Sequence, residues 1–480
     1  MTVRRAAKLR SGHPTARKAS SPAPASAPLL RSVQARRYDG ASLTPRTEHW
    51  RAPSSDATSA IDRPSTLRNR ARDLARNNPW AARGISALVN NSVGYGIQAQ
   101  WKGRRAQAQW MAWADSADCD ATGMTNFAGL QQLAFRTMVE SGECLVRLRP
   151  RLSSDGLAAP FQIQILEPDH LVETLDGPTK VGGLISRGIE YDGIGRRVAY
   201  YLYRTHPGAA SRGMFVDVNA YSRVPASEII HLFRRDRPGQ ERGVSWLASS
   251  IITLRDLDLY EDAYLKRQQV ANLFAAFVTT DEDPAGVAAD FTPLDEGLQP
   301  GSIYVLNPGR GVEFNSPPPA GDYGPFTMEC LRRVAAGLGI TFEALTGNLS
   351  QVNFSSARMG WQEMGRNIDT WRWNLFIPLF CGQVAKWFGA MTGTPGAPTW
   401  TPPARTLVDP TREIPALESA IRAGLMTQSE ALREQGYDPE TWLAEKAADD
   451  AELDRLAISL SSDPRRDKIG GAIAQQKTAD

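Results

Sequence analysis

The chain is poor in the residues from which compact metal and disulfide sites are usually built. Its 480 residues include four cysteines and five histidines. No two cysteines form a C-x-x-C pair, and no histidine neighbours a cysteine in the sequence. This pattern argues against a disulfide or zinc framework and favours a reducing compartment. We therefore predict no metal ion and no cofactor.

The sequence also lacks the local motifs of common nucleotide-binding and hydrolytic enzymes. It contains no G-x-x-x-x-G-K-[ST], no complete G-x-G-x-x-G and no G-x-S-x-G. A dispersed active site would leave no such motif, but nothing here gives it positive support. We predict that the chain is not an enzyme and has no catalytic residues.

Long hydrophobic runs are missing as well. No apolar run reaches the roughly 18 residues that a membrane-spanning helix needs. The most apolar stretch, residues 374–391, is interrupted by Pro378, Gln383 and Lys386. The basic N-terminus has no apolar segment of the secretory type. We predict no membrane partner.

Positive charge is concentrated at the N-terminus. Residues 1–51 hold 11 Lys or Arg against Asp39 and Glu48, a net charge of +9. The remaining residues hold 44 basic and 50 acidic side chains, a net charge of −6. An acidic body does not bind DNA tightly through counterion release. Any nucleic acid that meets this body is therefore not held by a broad basic surface.

The first 64 residues are rich in Ala, Ser, Pro and Arg and show little periodicity. This composition predicts a basic, disordered arm over 1–64. The alternative is an arm that becomes ordered on a partner or on nucleic acid.

The body that follows is predicted to be α+β. Helical spacing begins at Ser65, and Pro79 opens a second helix at its first turn. Alternating strands follow at 143–148 and 161–166, and the Asp192-Gly193 pair predicts a hairpin between two more.

Two long helical patterns flank an irregular segment in the second half of the chain. The first covers 244–274 and the second 326–339. An uncharged loop at 347–354 then precedes a tryptophan-rich helix over 356–388, which Pro378 should kink. The four tryptophans of that helix are predicted to be packing anchors rather than a ligand platform: Trp361, Trp371, Trp373 and Trp387. Helices are also predicted at 411–436, with a joint at 424–427, and at 441–460.

Seven phrases, in this order, resemble the lambda-type family of tailed-phage portal proteins. They span about residues 65–445: RARDLARNNPWAARGISALVNNSVGYGI at 70–97, ESGECLVRLRP at 140–150, IQILEPDHL at 163–171, RVPASEIIHLF at 223–233, RPGQERGVSWL at 237–247, GSIYVLNPGRGVEF at 301–314 and AAGLGITFEALTGNLSQVNFSSAR at 335–358. None is a catalytic signature, but their order over some 380 residues is specific.

The resemblance implies a portal fold with long stem helices, an α/β wing, a small β-containing clip and a helical crown. Its implied segments are a wing at 65–243, a first stem helix at 244–274, a clip at 275–323, a second stem helix at 324–339, a tunnel-loop region at 340–355, a long wing helix and return strand at 356–409, a crown at 410–460 and a polar tail at 461–480.

The resemblance also implies partners and a location. Family members form a ring, usually of twelve copies, at one capsid vertex, and double-stranded DNA is packaged and ejected through its channel without sequence specificity. The expected partners are the terminase packaging motor, the major capsid and scaffold proteins and the head-tail connector proteins. The expected location is the virion, after assembly in the host cytoplasm.

Two groups of candidate site residues follow from the same resemblance. The DNA-facing tunnel loop would comprise Asn348, Leu349, Ser350, Gln351, Val352 and Asn353. The stem helices would present Leu254, Asp258, Glu261, Asp262, Lys266, Arg332 and Arg333. A loop with no Lys or Arg is consistent with a channel along which DNA slides.

Two other functions stay open from the sequence. One is an oligomeric scaffold or adaptor of the virion without a channel. The other is a packaging-associated nuclease, against which the missing cluster of Asp, Glu and His argues.

Overall fold

The computed structural model describes residues 55–61, 63–180, 182–212, 220–272, 276–280, 310–314, 323–350, 352–404 and 409–458. Three sequence predictions lie wholly or mostly outside these ranges. They are the basic arm, most of the clip and the polar tail from 461. Residues 405–408, within the segment that contains the predicted return strand, also lie outside them.

Helices and antiparallel sheets alternate through the first half of the described chain, which confirms the α+β class. The elements are α1 (Pro64–Asn77), α2 (Pro79–Ser92), β1 (Gln98–Gln100), α3 (Arg104–Ala114), α4 (Phe127–Ser141), β2 (Glu143–Pro150), β3 (Phe161–Leu166), β4 (Gly177–Pro178), β5 (Leu184–Ser186), β6 (Ile189–Tyr191), β7 (Arg197–Tyr203), β8 (Tyr221–Pro225) and β9 (Ile229–Phe233).

Helical elements dominate the second half. They are α5 (Ile251–Asn272), α6 (Tyr323–Leu338), α7 (Phe342–Thr346), α8 (Phe354–Trp371), a π-helix (Arg372–Cys381), α9 (Gly382–Thr392), α10 (Pro410–Arg422), α11 (Gln428–Glu434) and α12 (Pro439–Arg455). The strands of this half are β10 (Ala276–Thr280), β11 (Arg310–Phe314) and β12 (Thr399–Thr401). No helix in these ranges is both long enough and apolar enough to span a membrane.

Local sequence signals explain where many helices begin. The Asn78 side chain accepts a hydrogen bond from Ala81 N at 2.9 Å, and Pro79 occupies the first position of α2. Asn126 caps α4 in the same way through Gly129 N. These caps place α2 and α4 beside α1, and α4 covers one face of the sheet that β2 begins.

Two antiparallel sheets form the β-rich region. The first has the order β3-β2-β9 and the second is a meander of five strands from β4 to β8. A small apolar cluster, which includes Leu145, Tyr200 and Val224, draws its members from both sheets. The larger core lies among the helices and the other face of β2, where Trp110, Trp113 and Phe388 are buried.

The first long helix begins later than the sequence predicts. Residues 246–250 form turns, and α5 starts at Ile251. The cause is a close contact between backbones, because Trp246 N donates to Val139 O at 3.0 Å. A Cβ on Gly142, whose φ is +92°, would overlap the backbone of Val244 and Ser245. The chain is therefore docked on the end of α4 before it turns into a helix.

The tryptophan-rich segment is helical throughout but is not a single kinked α-helix. It begins at Phe354, two residues early, because Asn353 supplies the cap. It then widens into the π-helix that contains Pro378. Proline has no N–H to donate and clashes with the preceding turn of an α-helix, and the wider turn accommodates it.

Three of the four tryptophans in this segment contact the body, as predicted. Trp387 is 5% exposed and donates to Ser227 O, and Trp371 packs on Trp246 with ring centroids 4.9 Å apart. Trp361 is half-buried against the core. Trp373 is 51% exposed and is not an anchor within the described chain.

The C-terminal helices match the sequence pattern closely. The joint predicted at 424–427 separates α10 from α11, and Gly424 has a φ of +71°. Helix α12 ends at Arg455, earlier than the predicted 460. Within the segment predicted as the clip, β11 pairs antiparallel with β10, so that Ala276 lies opposite Phe314.

Substituting Gly142 with alanine tests the docked contact that delays α5. The added Cβ meets backbone rather than a movable side chain, in a left-handed conformation. We expect Gly142→Ala to lower the free energy of unfolding by about 3 kcal/mol or more. The measurement is urea denaturation at fixed protein concentration.

Gly156→Ala is the matched control, because Gly156 has a φ of +75° but nothing within 4 Å of an added Cβ. Gly156→Ala should lower the free energy of unfolding by about 1 kcal/mol, because it adds only the strain of the left-handed conformation. Equal losses in the two variants would contradict the contact.

Candidate functional site: the loop and its flanking helices

The candidate loop connects two helices whose caps define its ends. Gly347 ends α7 with a φ of +72°, and its N–H donates to Glu343 O at 2.7 Å. At the other end, Asn353 Oδ1 accepts from Ser356 N at 2.8 Å and so caps α8. Asn353 therefore has a structural role in addition to any contact that it makes with a ligand.

The loop between these caps is exposed and uncharged. Asn348, Leu349, Ser350 and Asn353 are exposed, with Leu349 at 67%. Asn348 Oδ1 accepts from both the N–H and the hydroxyl of Ser350, which closes a tight turn. Val352 is half-buried and, with Leu349, lines a pocket of about 290 Å³ between α7 and α8. Gln351 lies outside the described residues.

The candidate stem residues on α5 do not form one solvent-facing polar face. Leu254 is fully buried in the core. Asp258 accepts from Asn78 Nδ2 at 2.7 Å, which ties α5 to the junction of α1 and α2. Asp258 is therefore satisfied inside the subunit and is only partly exposed. Asp262 and Lys266 are exposed.

Glu261 faces α6 rather than solvent. Tyr323 donates its hydroxyl to Glu261 Oε1 at 3.4 Å. Burial raises the pKa of Glu261, although the Tyr323 hydrogen bond opposes the shift. This carboxylate belongs to the contact between the two helices.

An aromatic cluster that the sequence analysis missed joins α5 to α6. The Tyr264 and Tyr323 rings are stacked with centroids 4.5 Å apart, and Tyr260 lies 4.7 Å from Phe326. Such ring pairs stabilise the contact between α5 and α6 beyond what the burial of their apolar surface contributes. Tyrosines four residues apart on α5 were the available signal, because that spacing places them on one helix face.

The candidate arginines of α6 are both exposed. Arg332 Nη1 lies 3.2 Å from Glu329 Oε2, and its guanidinium carbon lies 5.6 Å from the centroid of the Phe342 ring. An exposed pair of this kind contributes little to stability. Arg332 and Arg333 are therefore available to a partner surface.

A buried ion-pair network near the start of α5 was also missed. Glu143, at the start of β2, is 1% exposed and accepts from Arg242 Nε at 2.9 Å. Gly243 N and His231 Nε2 lie 2.9 Å and 2.8 Å from Glu143 Oε2. Its partners are about a hundred residues away along the chain, so no local spacing predicts the cluster.

The charge states in this network follow from burial and pairing. Burial raises the pKa of Glu143, but Arg242 and His231 outweigh it and hold that pKa well below its ordinary value. Burial lowers the pKa of His231 to about 4, against the opposing effect of Glu143. His231 is therefore neutral near pH 7, with Nε2 donating to Glu143 and Nδ1 accepting from Arg197 Nη1 at 3.1 Å.

The network continues to α1 through a second set of ion pairs. Arg68, which is buried, bonds Asp169 Oδ1 and Glu173 Oε1, both at 3.1 Å. Arg72 Nη2 lies 2.7 Å from Asp169 Oδ2. Glu173 also accepts from Arg242 Nη2 at 2.8 Å. These contacts join α1 to the connection between β3 and β4 and to the segment that precedes α5.

One carboxylate cluster has the composition of a metal site. The ligand atoms of Glu167, Asp169 and His206 lie within 4.8 Å of one another. Arg72 Nη2 lies 2.7 Å from Asp169 and 3.3 Å from Glu167, so a guanidinium already neutralises these carboxylates. The arrangement is that of an ion-pair cluster and gives no support to a metal-dependent nuclease.

Comparison with known proteins identifies a family. Residues 44–372 match the family model described as "Phage portal protein, lambda family". A "Probable portal protein" of Halomonas phage phiHAP-1 is 29% identical over 316 residues, which cover 62% of this chain and 60% of that protein. "Portal protein B" of Escherichia phage lambda is 23% identical, covering 64% of this chain and 66% of the relative. The chain thus spans less than two thirds of these relatives.

Solved structures show a more distant likeness. A chain of the "Neck of native GTA particle computed with C12 symmetry" shares 14% identity and a TM-score of 0.48, covering 77% of this chain and 94% of its own length. An HK97-family phage portal protein from Corynebacterium diphtheriae shares 10% identity with a TM-score of 0.36, covering 73% of this chain and 98% of its own length.

The titration of His231 makes a testable prediction. Its pKa is about 4 when folded and 6.5 ordinarily, so the unfolded chain binds more protons below pH 6.5. Stability should therefore fall as pH drops from 6.5 towards 4. Between pH 7 and pH 5, the titration of His231 should lower the free energy of unfolding by about 2 kcal/mol. His231→Gln keeps one donor and one acceptor and should remove that part of the loss.

Urea unfolding at pH 7 and pH 5 gives the comparison. His206→Gln is the control, because it replaces a half-buried histidine outside the Glu143 pair and leaves that pair intact. The interpretation fails should His231→Gln lose as much stability as the natural chain.

Proposed function

Because this chain belongs to the lambda family of phage portal proteins, we propose that it forms the ring-shaped channel at one vertex of a capsid. Double-stranded DNA passes through this channel during packaging and ejection. The ring contains about twelve copies, as the family resemblance implies. It docks the terminase motor, the major capsid and scaffold proteins and the head-tail connectors, and it resides in the virion after assembly in the host cytoplasm.

The observation that carries the proposal is a second apolar row on α5. Ile251, Leu254 and Leu257 are buried within the subunit. Ile252 and Leu259, seven residues apart and on another face, are 72% and 50% exposed. A helix that is apolar on two faces buries only one of them in a single chain. A second copy of this chain is the occupant that a ring supplies for the other face.

The crown helices support the same conclusion. Leu425 is 83% exposed, and Ile414 and Leu443 are about half-exposed. No residue of α10 is buried, although its apolar positions follow helical spacing. A segment with so little core of its own gains stability when neighbouring copies cover it.

The α7–α8 loop is the proposed constriction next to DNA. Its described residues are uncharged, and all but the half-buried Val352 are exposed, so they offer phosphate no ionic attachment. The segments at 244–274 and 324–339 are the proposed stem, with the helices in their observed bounds, and the pair β10–β11 belongs to the proposed clip. A scaffold without a channel would require no uncharged loop of this kind.

The proposed ring contact can be tested on α5. Ile252→Asp/Leu259→Asp places two carboxylates on the exposed row, and each lost apolar contact removes about 1.5–3 kcal/mol per interface. We expect the ring to be lost in negative-stain images, with the subunit remaining folded. Leu152→Asp/Ile194→Asp is the control, because both residues are at least 70% exposed on turns of the β-rich region. Rings in the α5 variant would overturn this contact.

A charge change in the loop tests the proposed channel. Asn353 is left intact because it caps α8, and Leu349→Lys/Gln351→Lys adds two positive charges in each subunit. These charges should hold passing phosphate and reduce the amount of nuclease-protected DNA several-fold in a packaging reaction, while rings still assemble. Leu152→Lys/Ile194→Lys adds the same charge elsewhere and should package normally. Normal packaging by the loop variant would contradict the proposal that this loop forms the constriction.

A further inference from the structure

Three arginines line one groove between the two β-sheets, and we call it the arginine groove. Arg147 and Arg149 are two residues apart on β2 and so point to the same face of the strand. Arg204 follows β7. Together they line a pocket of about 340 Å³, with Gln164, His170 and Ser222 among the other side chains at its wall.

These arginines lack the carboxylate partners that Arg68 and Arg242 have. Arg68 and Arg242 each contact two carboxylates at 3.1 Å or less. No described carboxylate forms an ion pair with Arg147, Arg149 or Arg204, and none of the described wall residues is acidic. The groove therefore holds positive charge that no ion pair in the described chain neutralises.

Arg147 shows most clearly that the unpaired positive charge in the groove is unfavourable. Its Nε atom is buried and has no hydrogen-bond partner. Burial, followed by the like charge of Arg149, lowers the pKa of Arg147, and Glu228 opposes the shift only in part. A bound anion would satisfy the Nε donor and relieve the repulsion. Burial also lowers the pKa of His170, so this imidazole adds a polar group rather than a fixed charge.

The geometry points to an oxyanion ligand with more than one negative charge. Guanidinium groups match phosphate through paired N–H donors, and Gln164 and Ser222 add neutral donors at the wall. A single carboxylate would neutralise one of the three arginines. Successive phosphates of a duplex carry one charge per roughly 1.7 Å of its axis and can meet several.

We propose that the arginine groove is a phosphate-binding site that takes the backbone of double-stranded DNA. It lies on β2 and β7, in other elements than the α7–α8 loop. The arginine groove would bind DNA, whereas the α7–α8 loop would let DNA slide past. The inference goes beyond the channel, since the groove could bind duplex whether or not the loop forms the constriction.

The test measures binding of a short fluorescent duplex to the full-length protein by anisotropy, over a range of salt concentrations. Arg147→Gln/Arg149→Gln should weaken binding by roughly tenfold or more, and the slope of log affinity against log salt should fall by about 1.8. Arg104→Gln/Arg105→Gln is the matched control, because both are exposed at the start of α3 and remove the same charge. It should leave affinity and slope nearly unchanged.

A folding control accompanies the binding assay. Because Arg147 Nε has no partner, Arg147→Gln/Arg149→Gln should melt at the same temperature as the natural chain or higher. A variant that binds weakly yet melts normally supports a binding site. Equal losses of affinity in the two arginine pairs would show general charge attraction, including that of the basic N-terminal residues, and would overturn the proposal.

Two other titrations identify the source of the anion. Inorganic pyrophosphate and poly-L-glutamate are each titrated into the natural chain and the groove variant. Should pyrophosphate binding depend on Arg147 and Arg149 while duplex binding does not, the ligand is a free phosphate compound and the DNA assignment is wrong. Should only poly-L-glutamate show that dependence, the groove binds an acidic protein surface and the proposal fails.

Discussion

The buried pair of Glu143 and Arg242 is the contact on which the arrangement of the long helices depends. Removing two charges from water is costly, and their attraction compensates only when the remaining hydrogen-bonding groups are also satisfied. Here the carboxylate accepts from Arg242, His231 and the Gly243 N–H, so that condition is met. Loss of one partner would leave the other charge buried and unpaired.

This pair fixes the point from which α5 leaves the body. Arg242 precedes the glycine that packs against Gly142, and Trp246 then bonds the end of α4. Helix α5 cannot start until this docking is complete, and Asp258 adds a second tie to α1 and α2 through Asn78. The tyrosine cluster then holds α6 beside α5. The stem proposed for the channel therefore projects from a rigid base, and force along it would reach the sheets through ion pairs as well as through apolar packing.

Local patterns in the sequence were sufficient for most helices and strands. Pro79 at the first turn of α2, Asp192-Gly193 as a turn and the alternation along β2 each act within a few residues, and each of these elements was predicted within a few positions. The later start of α5 and the role of Asp258 depend on contacts between segments more than a hundred residues apart, which local spacing cannot encode. Pro378 predicted a kink in the α-helix. The structure instead has a π-helix around Pro378, and packing on the body keeps this segment helical.

The candidate site, like the fold, was predictable only where a local pattern in the sequence determines it. The lack of charge from Asn348 to Asn353 is evident in the sequence, and the exposure of Asn348, Leu349, Ser350 and Asn353 agrees with it. Which side of that loop would face the proposed channel depends on neighbouring copies, so a single chain does not determine it. The arginine groove needed the structure, because Arg147 and Arg204 become neighbours only when the two sheets pack together.

Cryo-electron microscopy of the purified full-length protein is the most direct measurement of the central claim. The account predicts a closed ring with a central channel, in which α5 and α6 line the wall and residues 348–353 form its narrowest part. A monomer, an assembly without a central hole, or a ring with this loop on its outer rim would contradict it.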